Sequence, residues 1–220
     1  MKHLKYYKEI DLNESIRHFL KPKSEEEVLK KINLNDLPDI LLLKSVKYDI
    51  LTLTKIAMER GADPYYPLNY RFSSIKSIID LAFYENRHDI INYLMDNYKI
   101  KITYKHMYFL EENDNLELYL KMFKYYKKKM LNYIKSYPIS IIKFSFNGDK
   151  DNINVIKQFE NINLLDDLNN SAIWGLINNL HLNNRHNQLK YLINLDSIKY
   201  KLNDKSFNNI KYIINRYLIK

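Results

Sequence analysis

Hydrophobic residues recur at helical spacing along most of this chain, in short stretches that polar residues separate. Apolar positions three and four residues apart predict amphipathic helices, because such positions share one helix face. Only three Gly and five Pro interrupt the 220 residues, whereas a β-rich protein needs many turn residues. The pattern therefore predicts an all-α fold.

The predicted helices are short and follow one another closely. A first helix covers 14–20, and a second begins at Ser24, whose hydroxyl can cap a first turn that carries Glu25, Glu26 and Glu27. Further helices are predicted over 37–47, 49–60, 74–85, 89–98, 104–112, 116–128, 130–146, 153–159, 171–182, 187–195 and 206–219. Short helices in pairs are typical of α-solenoids, which are built from internal repeats.

One segment of the chain recurs 98 residues later. Residues 86–95, NRHDIINYLM, return at 184–193 as NRHNQLKYLI, with Asn, Arg, His, Tyr and Leu identical. Three units of about 33 residues would fill that interval. Weaker copies begin at Asn115 and Asn152, each with a polar break before a short amphipathic helix. These copies predict a repeated helical unit.

Part of this unit resembles the ankyrin repeat. Residues 56–64 (IAMERGADP) resemble the end of an ankyrin second helix and its Gly-Ala-Asp turn, and 81–95 resemble the end of the following first helix, the loop and the whole second helix. Asn86 and Asn184 stand near the family's usual Gly, and Asn is the non-Gly residue that best tolerates a left-handed backbone. The family's Thr-Pro-Leu-His opening is replaced by Ser-Ile-Ile-Asp at 77–80. Tetratricopeptide-type units have nearly the same length and are the alternative.

The resemblance implies an α-solenoid of about five stacked helix pairs with a helical cap at each end. Residues 1–33 would form the N-terminal cap, 34–220 one continuous repeat array, and 206–220 its closing helix. The abundance of Lys, Asn, Ile and Tyr is similar to that of ankyrin-like proteins encoded by large DNA viruses with A/T-rich genomes, and an A/T-rich microbe fits too. The resemblance implies a scaffold that binds another protein, a host protein if the chain is viral.

The chain is basic, with 35 Lys and Arg against 26 Asp and Glu, a net charge of +9. Such a balance is typical of nucleic-acid-binding proteins. However, only six of these cations are Arg, the better group for bidentate contacts to phosphate and guanine, and A/T-rich codons would raise the Lys content by themselves. Binding of nucleic acid without strong sequence specificity is therefore the alternative function.

Sequence signals of secretion, membrane insertion and catalysis are missing. The chain has no Cys, begins without an apolar leader and contains no run of about 18 apolar residues, so we expect an intracellular, cytoplasmic protein that does not enter a membrane. Three dispersed Gly cannot form a phosphate loop, and no zinc-protease or nucleophile-elbow motif occurs. His181 and His186 lack metal-ligand spacing. We expect neither enzymatic activity nor a metal or cofactor.

The leading candidate for partner binding is the aromatic segment after the Gly-Ala-Asp turn, namely Tyr65, Tyr66, Tyr70, Arg71 and Phe72. Tyr and Arg are enriched at interface hot spots. In ankyrin-like proteins this region forms finger-like loops, which line the binding surface together with the first helices. In the alternative interpretation, the rings pack back onto neighbouring helices.

The candidate for nucleic-acid binding is a run in which cations alternate with aromatics, namely Lys124, Tyr125, Tyr126, Lys127, Lys128 and Lys129. Stacking and charge could together hold a single strand. The alternative is the solvated end of a helix. Elsewhere, Trp174 is expected in the core, His88 and His186 in loop or cap roles, and Arg87 and Arg185 in hydrogen bonds between repeats.

Overall fold

A computed structural model describes residues 25–68, 75–137, 143–144, 153–202, 212–213 and 215. All regular elements in these ranges are helices, apart from one isolated antiparallel bridge between Pro67 and Ser77. The all-α prediction is therefore confirmed. Several predicted features lie outside the described residues: the helix at 14–20, the cap Ser24, the repeat start Asn152, most of 206–219 and the loop residues Tyr70, Arg71 and Phe72.

The chain divides into two compact units, Met1–Ile100 and Lys101–Lys220. In the first unit the helices are α1 (Glu25–Lys31), α2 (Pro38–Tyr48), α3 (Leu51–Glu59), α4 (Ile78–Tyr84) and α5 (His88–Asn97). In the second they are α6 (Tyr104–Glu112), α7 (Leu116–Ser136), α8 (Asn154–Asn161), α9 (Leu164–Asp167), α10 (Asn170–Leu182), α11 (His186–Asn194) and α12 (Asp196–Leu202). Helix α1 falls within the segment predicted as the N-terminal cap.

Four helix pairs share one connecting turn: α2–α3, α4–α5, α6–α7 and α10–α11. Each turn contains one residue with a left-handed backbone, with φ between 52° and 59°: Asp49, Asn86, Asp114 and Asn184. The residue after the left-handed one donates its amide to the carbonyl five residues earlier at 2.8–2.9 Å, which closes the first helix. The carbonyl of this following residue accepts the first hydrogen bond of the second helix. The predicted left-handed conformation of Asn86 and Asn184 is confirmed.

This turn corrects one repeat boundary. In the third pair the left-handed residue is Asp114, so Asn115 occupies the place of Arg87 and the copy begins one residue earlier than predicted. The Asn115 side chain accepts a hydrogen bond from the amide of Leu118 at 3.1 Å and caps α7.

Buried positions also recur in the four pairs when they are counted from the left-handed residue. The seven recurring positions lie eight, seven and four residues before it and four, five, eight and nine residues after it. All 28 side chains are buried: Leu41, Leu42, Ser45, Leu53, Thr54, Ala57 and Met58; Ile78, Ile79, Ala82, Ile90, Ile91, Leu94 and Met95; His106, Met107, Leu110, Leu118, Tyr119, Met122 and Phe123; Leu176, Ile177, Leu180, Gln188, Leu189, Leu192 and Ile193. A shared turn and a shared core pattern define one repeated unit.

The helix pairs pack differently in the two units. In the first unit α2 contacts α4 and α3 contacts α5, so that first helices pack together and second helices pack together. Arg87 donates to the Lys47 carbonyl at 3.3 Å and lies 3.6 Å from the Asp49 carboxylate, which confirms its hydrogen bond between repeats. In the second unit α7 contacts α10, α8 contacts α11 and α9 contacts α12.

The predicted break at residue 129 lies three residues earlier, at Tyr126. Helix α7 extends from Leu116 to Ser136 as two helical segments that meet at a kink, where Tyr126 has non-helical torsion angles (φ −128°, ψ 34°). Lysine has a good helix propensity, and the buried Met130, Tyr133 and Ile134 continue the apolar face beyond the Lys run. The short helices α9 and α12 were missed because a segment of four to seven residues carries too little periodicity.

Candidate partner-binding surfaces

The Gly-Ala-Asp turn directs the chain out of α3 into the predicted binding loop. Gly61 adopts a left-handed backbone (φ 87°), and the Ala62 amide donates to the Ala57 carbonyl at 3.0 Å. The Asp63 amide then donates to the Asp39 carboxylate at 2.7 Å, and the Asp63 carboxylate accepts from the Tyr65 amide at 2.8 Å. These bonds fix the path of the chain as it enters the loop.

Hydrogen bonds close the base of this loop. Pro67 and Ser77 form the antiparallel bridge, and the Leu68 amide donates to the Lys76 carbonyl at 2.9 Å. The Ser77 hydroxyl accepts from the Asp80 amide at 3.3 Å and so caps α4, while the Asp80 carboxylate accepts from the Lys76 amide at 2.9 Å. Residues 69–74 thus connect two chain segments that are held side by side.

Of the five side chains predicted to bind a partner, two lie in the described part of this loop. Tyr65 is 41% exposed, and Tyr66 is half-buried. Tyr70, Arg71 and Phe72 belong to residues 69–74, outside the described ranges. The described half of the segment therefore presents one aromatic side chain to solvent at the base of the loop.

A second set of exposed side chains recurs on the first helix of the pairs. Counted from the left-handed residue, Tyr104 and Trp174 lie ten residues before it, Tyr108 six before it, and Tyr84 and Leu182 two before it. Steps of four residues keep a side chain on one helix face. These five outer-face residues are 39–67% exposed. The first pair has no such side chain, since Asp39, Leu43 and Lys47 are half-buried at these positions.

The second helices of the same pairs present a different surface. Over the described residues of α3, α5, α7 and α11, Tyr125 of α7 is the one exposed large hydrophobic side chain. Exposed large apolar groups of the described pairs are thus concentrated on the first helices. In the sequence, these exposed side chains could be recognised by two aromatic residues four positions apart, as in Tyr104 and Tyr108. Periodicity alone did not show which helix face was buried.

Trp174 is therefore not a core residue, contrary to the prediction. It is 40% exposed, whereas Ala172, Ile173, Leu176 and Ile177 of the same helix are buried. Since successive helical residues are about 100° apart, these four define the buried face and Trp174 falls outside it.

A buried carboxyl group lies beneath the outer face of α6. Glu111 is 5% exposed, accepts a hydrogen bond from the Tyr133 hydroxyl and lies 3.7 Å from the Lys143 ammonium. Burial raises the pKa of Glu111 to about 7, despite these two groups. Burial lowers the pKa of Lys143, but its hydrogen bond to Glu112 and both carboxylate charges outweigh this and raise it. The same ammonium lies 4.9 Å from the centre of the Tyr108 ring.

The run at 124–129 lies along α7 beside a groove of about 550 Å³. The groove is lined by Leu120, Lys121, Phe123, Lys124, Tyr125, Lys127 and Ile162. Tyr125 is 50% exposed and Tyr126 is half-buried, while Lys124, Lys127, Lys128 and Lys129 are exposed. The non-helical torsion angles at Tyr126 fall within this run, so the run spans the kink of α7.

Three of these lysines have contacts within the protein. Lys127 forms an ion pair with Asp167 at 2.7 Å, and its ammonium lies 5.9 Å from the centre of the Phe123 ring. Lys129 donates to the carbonyl of Ile102. Lys124 lies over the neighbouring Tyr125, 6.0 Å from its ring centre. The groove therefore combines cations with an aromatic side chain and an apolar floor.

His88 is half-buried and His186 exposed, and each lies two residues after the left-handed residue of its turn. No group of three His, Asp or Glu side chains in the described ranges is arranged to hold a metal ion. Within the same ranges, no helix combines the length and apolar character needed to cross a membrane.

Comparisons with protein-family models, curated proteins and solved structures found no match to this chain.

Proposed function

We propose that this protein is a divergent ankyrin-like repeat scaffold, an α-solenoid of about five stacked helix pairs that binds another protein. The observation that carries the proposal is the recurrence of exposed aromatic and aliphatic side chains on the outer face of the first helices. Large apolar side chains at equivalent exposed positions are what a protein-binding surface requires, because aromatic residues provide most interface hot spots.

The repeated unit supports the choice of family. Four pairs share a turn and seven buried positions, and in the first unit like helices pack on like. The Gly-Ala-Asp turn at 61–63 is the most specific point of resemblance. In ankyrin-like proteins the first helices and the finger loops bind together, so Tyr65 and the outer-face residues would serve one function.

The partner and the setting follow from the resemblance and the composition. We infer an intracellular, cytoplasmic protein without enzymatic activity, whose partner is a host protein if the chain is viral. Binding of nucleic acid is the second candidate function, and the α7 groove is the specific observation that favours it.

The test is affinity capture from lysate of the candidate host, with quantitative mass spectrometry. One variant combines Tyr104→Ser, Tyr108→Ser, Trp174→Ser and Leu182→Ser, and another combines Tyr65→Ala, Tyr66→Ala, Arg71→Ala and Phe72→Ala. We expect specific partners to fall at least about tenfold with the first variant, since each lost hot spot costs about 2 kcal/mol. The matched control is Tyr200→Ser, because Tyr200 is 83% exposed on α12, outside the four pairs.

Circular dichroism and thermal unfolding establish that each variant is folded. Retention of all partners by the folded outer-face variant would contradict the proposed surface. A loss of partners with Tyr200→Ser as large as with the outer-face variant would contradict it equally.

A further inference from the structure

The groove on α7 lies on the second helix of its pair, away from the outer-face positions. Lys121, Lys124 and Lys127 line it, with the kink at Tyr126 between the last two. Ammonium groups along a groove can contact the phosphates of a short stretch of one strand.

The groove also offers a stacking surface. Tyr125 lies in the middle of the lysines with half of its side chain exposed, and Leu120, Phe123 and Ile162 form an apolar floor beside it. Tyrosine rings in such positions stack on nucleobases, each of which has a flat π-face. An acidic peptide would use the ammonium groups but would leave the ring and the apolar floor without a matching group.

The non-helical residue Tyr126 follows Tyr125 directly, and the two ring centres are 6.4 Å apart. The kink of α7 therefore adjoins the groove, and it changes the direction of the side chains that follow it.

Lys127 at one end of the groove forms an ion pair with Asp167 at 2.7 Å. Lys124 is exposed, and its ammonium lies 6.0 Å from the centre of the Tyr125 ring, so it can contact the phosphate of a nucleotide whose base stacks there. Lysine contacts phosphate as a point charge and does not read bases bidentately, so little sequence preference is expected.

We propose that this groove binds single-stranded nucleic acid, with a base stacked on Tyr125 and a phosphate held by Lys124. This inference rests on the second candidate function, for which it names the site and the class of ligand, and it is separate from the proposed binding of a protein by the first helices.

The test measures fluorescence anisotropy of a labelled twelve-nucleotide oligothymidylate, titrated with the full chain at several salt concentrations. Tyr125→Ala is expected to weaken binding about 5- to 100-fold, the usual effect of losing one stacking aromatic, and Tyr125→Phe to restore it. Lys124→Ala is expected to reduce the slope of log K against log salt by about 0.7, the value for one phosphate contact to a single strand. The matched controls are Tyr137→Ala, 55% exposed, and Lys135→Ala on the exposed surface of α7.

Three results would overturn the proposal. One is the absence of binding to the oligonucleotide at low salt. Another is an equal loss with the control variants, which would indicate general attraction by a basic chain. The third is that polyglutamate or duplex DNA binds as strongly as the oligonucleotide and that Tyr125→Ala weakens the binding of none of these three ligands. Thermal unfolding of each variant verifies its fold, and failure of the protein-capture experiment leaves these results unaffected.

Discussion

At the scale of single residues, the most unusual group is the buried carboxyl of Glu111. Its position, three residues before the left-handed residue, is filled by the buried apolar residues Val46 and Phe83 in the first two pairs. Burial opposes ionisation, and the Tyr133 hydroxyl and Lys143 ammonium compensate only in part. Stability should therefore depend on pH through this one side chain.

Glu111→Gln is expected to change the pH dependence of unfolding between pH 4.5 and 7. The pKa of Glu111 is raised in the folded state from 4.5 to about 7, so its contribution to stability is fully present below pH 4.5 and is lost as the pH rises through 7. The amide is neutral throughout and lacks this loss. Relative to the wild type, the variant should gain on the order of 1 to 3 kcal/mol between pH 4.5 and 8.

Urea unfolding at both pH values measures this difference. The control is Glu112→Gln, which removes the neighbouring carboxylate. Glu112 also bonds the Lys143 ammonium, at 2.8 Å, but unlike Glu111 its side chain is half exposed. A constant difference between Glu111→Gln and wild type across this range would show that Glu111 does not titrate there.

At the scale of elements, the second unit contains a short helix that depends on a distant side chain. Helix α9 has four residues, too few to be stable alone. The Lys201 ammonium of α12 donates to the carbonyls of Leu165, Asp166 and Leu168 at 3.3, 2.6 and 2.9 Å. A cation at the last carbonyls of a helix satisfies groups that have no partner within the helix.

Lys201→Met is expected to destabilise the protein by about 1–3 kcal/mol, because it leaves these carbonyls without their shared donor. Amide hydrogen exchange should show the loss of protection first at 164–168. Lys199→Met on the same helix is the control, since Lys199 is exposed. Equal exchange at 164–168 in both variants would mean that Lys201 does not hold α9 in place.

At the scale of the whole molecule, the repeated pair relates residues that are far apart in sequence. Leu94 and Leu192 both lie eight residues after a left-handed residue, and both are buried, at 1% and 0% exposure. They belong to different compact units. If the pairs are equivalent, equal truncations at these positions should have comparable effects.

Leu94→Ala and Leu192→Ala are each expected to lower the free energy of unfolding by about 2–5 kcal/mol, the usual range for a buried Leu. Chemical denaturation of the full chain measures both. Lys190→Ala, an exposed change on the helix that carries Leu192, should stay within about 0.5 kcal/mol of wild type. A cost below about 1 kcal/mol at either Leu would show that the two pairs are not equivalent.

The sequence by itself determined the longer helices, the repeated unit and two of its turns. Amphipathic periodicity is a local property, and Asn86 and Asn184 could be recognised because their side chains tolerate a backbone that most residues avoid. Asp49 and Asp114 adopt the same conformation, but Asp occurs in so many other contexts that its type did not reveal the turn. These features depend on neighbours within a few residues.

The tertiary structure alone decided which faces are buried and which side chains meet. Trp174 is exposed because the other face of α10 provides the buried contacts, and α7 resumes after its kink at Tyr126 because Met130, Tyr133 and Ile134 have packing partners. The groove, the Glu111 cluster and the Lys201 contacts join residues about 20 to 40 positions apart, as Glu111 with Lys143 and Lys201 with Leu165 show. Sequence spacing carries no information about such contacts, since they arise only when separate helices pack.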